Sequence, residues 1–172
     1  MPTDPTTHFG EIRIEQLPPQ HVAAYRAVSA SPEEDAAEFM ARWLTGQGVE
    51  EAAHRPNFGF DVEVTPEQDS AGLRGYEVWY PVPVTVQPSD AVAIRDFPGG
   101  LYAVMRLTNP FVDPFAIIPA GWSHIQAWCS AECDPGYQIG SHQHLERFIP
   151  DPDGPHLELF LPLVMAAAPD AG

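Results

Sequence analysis

Two stretches decide the fold: Gly75-Tyr76-Glu77-Val78-Trp79-Tyr80-Pro81-Val82 and His156-Leu157-Glu158-Leu159-Phe160-Leu161-Pro162-Leu163. Both alternate with period two, which reads as a β-strand. Glu77 and Glu158 are 81 residues apart, as are Trp79 and Phe160, and Pro81 and Pro162. Leu17-Pro18 and Phe97-Pro98 repeat 80 residues apart. The same strand therefore recurs in two halves of one chain, and the rest of the sequence falls into place around it.

In the first half, residues 11–28 read as a strand, a turn at Pro18-Pro19 and a strand. Ser31-Pro32-Glu33-Glu34 opens a helix, with Ser31 as cap, Pro32 at its first position and Glu34 closing a capping box. Ala36, Phe39, Met40, Trp43 and Leu44 form one helical face, and Gly46 and Gly48 end it. Phe58–Val64 is a further strand, with Phe58 and Phe60 on one face and Gly59 admitting a neighbouring backbone. The second half repeats the order. Residues 91–95 and 101–107 flank the turn Phe97-Pro98-Gly99-Gly100. A helix opens at Ile118-Pro119, carries Trp122, Ile125, Trp128 and Cys129 as its apolar stripe, and stops at Asp134-Pro135-Gly136. Strands over 143–149 and 156–165 follow.

The expected architecture is α+β: two strand-turn-strand-helix-strand-strand units joined near Gln87-Pro88. One such unit cannot cover both faces of its sheet. Pseudo-twofold pairing of antiparallel sheets, with one main helix per half, would place a central cleft where the halves meet. The expected bounds are a flexible tail over 1–10, a single domain over 11–165 with half-repeats 11–87 and 88–165, and a second tail over 166–172.

Composition narrows the function. The chain has 172 residues, 24 acidic and 8 basic, for a net charge of −16. All eight basic residues are Arg, so P-loop chemistry and Lys-based covalent catalysis are excluded. A field of that sign repels phosphate backbones and anionic membranes. The N-terminal stretch lacks signal-peptide character, and no apolar run reaches a membrane span; the expected location is the cytoplasm. Cys129 and Cys133 are a C-x3-C pair without the second pair a structural zinc site needs. His142 and His144 sit on a different element, so neither a metal nor a cofactor is expected. His21, His124 and His156 lack a nucleophile at triad spacing.

The stretches IEQLPPQHVAAYRA, RPNFGFD, GYEVWYPV, FPGGLYAV, IPAGWSHIQAWC and GYQIGSHQHLERFI followed by LELFLPL cover residues 11–163. In order and spacing the chain resembles the gyrase-inhibitory-protein-like small-molecule-binding family. The same domain is the effector-binding domain of AraC-type and MerR-type multidrug-sensing regulators. The resemblance implies two SHS2 modules and binding of lipophilic, often cationic or planar molecules. It implies a buried glutamate that meets the ligand cation, matched here by Glu146, with a last-strand aromatic matched by Phe160. Phe160 stands where a tyrosine is common, so one hydroxyl contact is absent. The chain looks like the stand-alone form, without direct nucleic-acid binding.

From the residues themselves, Trp79 and Glu77 share a strand face and Phe160 is the repeat mate of Trp79. Aromatic faces plus a carboxylate suit a flat cation. Phe58, Tyr102 and Tyr137 are further candidates for the ligand site. A second reading, which the resemblance implies through some stand-alone members of the family, is hydrolysis of cyclopropane-bearing alkylating toxins, with Glu77 and Glu146 as acid–base candidates. A third is a protein partner, gyrase or a regulator, engaged through the acidic surface as a DNA mimic.

Overall fold

The computed structural model describes residues 4–131 and 136–167. The chain is α+β, with antiparallel strand pairing and few helices. In chain order it forms β1 (Phe9–Leu17), β2 (Gln20–Ser29), α1 (Pro32–Gly46), β3 (Asn57–Val62), α2 (Pro66–Ser70) and β4 (Arg74–Pro81). Then come β5 (Ala93–Phe97), β6 (Gly100–Thr108), α3 (Pro114–Ala131), β7 (Tyr137–Ile139), β8 (Leu145–Ile149) and β9 (His156–Met165). The predicted order of strands and main helices is present in both halves.

The chain divides into two compact units that are not its sequence halves. Unit 1 comprises residues 1–18, 99–146 and 151–172, and unit 2 comprises residues 19–98 and 147–150. In unit 2, β2 lies between β4 and β5, and β4 continues to β3, so the order is β5-β2-β4-β3. In unit 1, β6 lies between β1 and β9, and β7 adds to β9. Each unit thus takes its outer strand, β5 or β1, from the other half of the sequence. The chain passes from one unit to the other at Pro18–Pro19 and Pro98–Gly99, the two repeated turns, and crosses again on either side of residues 147–150. Gly99 has φ +74, and an added Cβ would stand 2.2 Å from the Leu17 carbonyl oxygen. Glycine alone meets both demands.

Period-two alternation assigns the sheet faces. In unit 2, Ala23, Ala27, Val78 and Tyr80 turn toward Ala36, Met40 and Leu44 of α1 and form one core. In unit 1, Ala103, Met105, Leu107, Leu157, Leu159 and Leu161 pack against Ile117 and Ile125 of α3. The opposite, helix-free faces carry Glu77 and Trp79 in unit 2, and Glu158 and Phe160 in unit 1.

Several local expectations are corrected. Ser31 makes no side-chain cap. Its own N–H donates to Ser29 Oγ at 3.2 Å, and Ser29 in turn donates to Asp35, so the first turn is tied from outside. A full capping box occurs instead at Thr65 and Gln68, ahead of α2. The second main helix starts at Pro114, with Pro119 inside it, rather than at Ile118. Residues 141–144 precede β8 rather than belonging to it, so strand alternation does not orient His142 and His144. At the N-terminus, residues 5–8 form a 3-10 turn in which the Asp4 carboxylate accepts from Thr6 N–H at 3.0 Å. Cys133 and the Asp134-Pro135 helix stop lie outside the described residues; Cys129 is half-buried against the α3 core.

Candidate functional site

Glu77 projects from the middle of β4, beside Trp79 on the same face. It is 2% exposed. An ionised carboxylate that deep is tolerated only with compensating charge and hydrogen bonds. Both are present. Arg26, opposite Glu77 on β2, donates to its Oε2 from Nε at 3.1 Å and Nη2 at 2.9 Å. Arg95 Nη2 lies 3.4 Å from Oε1, and Trp79 Nε1 donates to that oxygen at 2.8 Å. Trp79 is walled by Phe60 at 5.1 Å and Phe97 at 5.4 Å, and Phe97 also meets Phe58 at 6.2 Å. Arg147 lies over the Phe58 ring at 5.9 Å.

The repeat mate in unit 1 is built the same way. Glu158 is 0% exposed. Arg13 donates to its Oε1 at 2.8 Å and Arg106 to the same atom at 3.3 Å. Burial alone lowers the pKa of the Arg13 guanidinium, but Glu158 and then Glu15 outweigh it and hold it above its ordinary value. Four of the eight arginines, 13, 26, 95 and 106, are committed to these two carboxylates. The Glu158 clamp was not foreseen. Its signal was the repeat itself, since each carboxylate has an arginine at the paired position of the next strand (Arg26 and Arg106).

Glu146 stands apart. It is half-buried, at the start of β8. Trp122, on α3, donates from Nε1 to Glu146 Oε1 at 3.3 Å, and its ring lies 5.7 Å from that of His144. Burial, and then the neighbouring His142, lowers the His144 pKa and keeps the imidazole neutral near pH 7. Nearby in the same unit, the fully buried Tyr102 donates to the Gln143 carbonyl oxygen at 3.0 Å. Its ring meets Phe160 at 5.6 Å and His142 at 4.9 Å, and burial pushes its hydroxyl up to about 12.

The sequence-predicted residues thus fall into separate groups. Glu77, Trp79 and Phe58 come together in unit 2. Tyr102 and Phe160 come together in unit 1, and Glu146 joins Trp122 and His144 there. Tyr137 belongs to none of these; it sits on β7, half-buried against the α3 core. Trp122, read as part of the apolar stripe of its helix, packs against the unit 1 core and also donates to Glu146. An acid–base role for Glu77 finds no support in this geometry, because both its oxygens are engaged by Arg26, Arg95 and Trp79. Among the described residues, no three His, Cys, Asp or Glu side chains are grouped to hold a metal.

The resemblance carried by the ordered stretches over residues 11–163 agrees with the family comparison. The model of the GyrI-like small molecule binding domain matches residues 10–164. The chain belongs to this family. Comparison with curated proteins gives no match. Among solved structures, the GyrI-like chain is similar to EcmrR in a DNA complex at 13% identity and TM-score 0.62, covering 93% of this chain and 59% of that one. It therefore spans about three-fifths of that protein's length. It is also similar to the EcmrR C-terminal domain, at 11% identity and TM-score 0.58 over 91% and 98% of the two chains. A third is SAV2435 bound to tetraphenylphosphonium, at 10% identity and TM-score 0.51 over 90% and 94%. At such identities these likenesses show the fold. As a GyrI-like domain, the chain is a small-molecule-binding domain. No helix of the described residues is long and apolar enough to cross a membrane.

Proposed function

We propose that the chain binds lipophilic, aromatic cations and that Glu146 is the anchor for the positive charge. The observation that carries this reading is the half-buried carboxylate beside the Trp122 indole. Of the three carboxylates set among strand aromatics, Glu77 and Glu158 are sealed from water and clamped by arginine pairs, whereas Glu146 is partly open. Partial burial raises the strength of a charge–charge contact above its value in water without the full cost of desolvation. The Trp122 indole meets the carboxylate by its N–H edge, so its ring lies within reach of a cation seated there and adds cation–π attraction.

Within the same unit, Phe160 and Tyr102 supply a rigid aromatic framework, and Tyr137 stays outside it. That SAV2435 binds tetraphenylphosphonium supports the ligand class. A duplicated SHS2 module is part of the same proposal, supported by the twice-repeated order of strands and helix. The test is equilibrium dialysis of tetraphenylphosphonium against the neutral triphenylphosphine oxide. The cation is expected to bind at least tenfold more tightly, about 1.4 kcal/mol. Equal affinities would remove the charge from the account.

A further inference from the structure

Unit 2 carries an open hollow of about 480 Å³ whose floor is the Glu77 clamp. We infer that this hollow is a second ligand site, for aromatic carboxylates, with Arg26 and Arg95 as the groups that hold the anion. Ala24 and Ala93 form its apolar wall, on the same sheet face, and Asp90 stands on its rim. The volume lies in the range of small-molecule sites.

The charge count decides the ligand. Two guanidiniums share one carboxylate, so the floor itself carries one positive charge in excess, set against the single carboxylate of Asp90 on the rim. Each guanidinium has five N–H donors in a planar fork. Three of these ten face Glu77: Nε and Nη2 of Arg26, and Nη2 of Arg95. Both arginine side chains are about half-exposed, at 55% and 51%, while Glu77 beneath them is 3%. The forks are therefore fixed from below and open from above, which suits bidentate recognition of an incoming carboxylate. The fixed forks also lower the ordering cost of binding. The overall charge of −16 opposes an anion only weakly here, because charges beyond about 8 Å are screened at physiological salt. Asp90 is the nearby exception, and it makes the proposal directional.

Calorimetric titration of the intact chain with 2-naphthoate at 0.15 M salt tests this. Saturable binding is expected. Arg95→Gln should weaken it at least tenfold; because Arg95 makes the longer contact, Glu77 keeps its Arg26 pair and the variant folds. Asp90→Asn, an exposed change that leaves the clamp untouched, should tighten binding several-fold. Tetraphenylphosphonium binding should be unchanged in both variants, which separates this site from Glu146. Absence of saturable naphthoate binding, unchanged binding in Arg95→Gln, or weaker binding in Asp90→Asn overturns the proposal.

Discussion

At the residue scale, the two buried glutamates set the chemistry of their sheet faces. Removing Glu158 leaves arginines that are about half-exposed and can turn to water. Removing the arginines takes both guanidinium partners from a sealed carboxylate. Breaking a buried pair from that side costs about 3–5 kcal/mol. The Arg13→Gln/Arg106→Gln double variant is therefore expected to lose that much in urea unfolding, and Glu158→Ala clearly less. The reverse order would mean that the carboxylate is not sealed. Tyr102 gives a signature at high pH. Its hydroxyl is pushed up to about 12 in the fold, against about 10 unfolded. The folded state holds its proton longer, so this contribution is complete below pH 10 and is lost as pH rises toward 12. At most about 2–3 kcal/mol is at stake, at 1.36 kcal/mol per unit. Tyr102→Phe should flatten that part of the pH–stability curve. His144 acts at the other end. Its depressed pKa means that the unfolded chain protonates first, so stability falls as pH drops below about 6.5. Protonation of His144 also places a positive charge against the Trp122 ring that meets Glu146, so tetraphenylphosphonium affinity should fall over the same acid range, and His144→Gln should remove that fall.

At the element scale, the strands and main helices were legible because their periods are clean. Glu77, Trp79 and Glu158, Phe160 were readable as face-sharing pairs for the same reason. What period could not tell was which strand would lie beside which. The exchange of β1 and β5 between the halves depends on turns that pass the chain onward rather than folding it back, and alternation is blind to that. Nor could spacing show that Arg26 and Arg95 converge on one carboxylate, since they lie on strands far apart in sequence. The start of α3 was missed because Pro119 read as a first-turn proline, whereas Pro114 holds that role. Gly59 was read as making room for a backbone. In the structure it makes room for the Tyr76 ring, whose hydroxyl oxygen would lie 2.3 Å from an added Cβ. Gly59→Ala should displace that ring from its place against the α1 core. A loss of about 1–3 kcal/mol is expected in thermal or urea unfolding, the range for overpacking. An unchanged midpoint would show that Tyr76 can move freely.

At the scale of the whole molecule, the repeat and its exchanged strands bind the two units into one folding problem. Unit 2 needs β5 from the second half of the sequence, and unit 1 needs β1 from the first. Fragments 1–87 and 88–172, produced separately, are each expected to lack native circular dichroism, and the intact chain should unfold in a single transition. Independent folding of either fragment would contradict the exchange. The acidic composition takes on a different sense at this scale. Half of the few cations serve buried carboxylates, and the partly open Glu146 is where negative charge meets an aromatic side chain. That last point is the central claim. Its most direct test is calorimetric titration of the intact chain with tetraphenylphosphonium, wild type against Glu146→Gln. Saturable binding that weakens at least tenfold in the variant is the expected result; equal binding by the two proteins, or none by either, would contradict it.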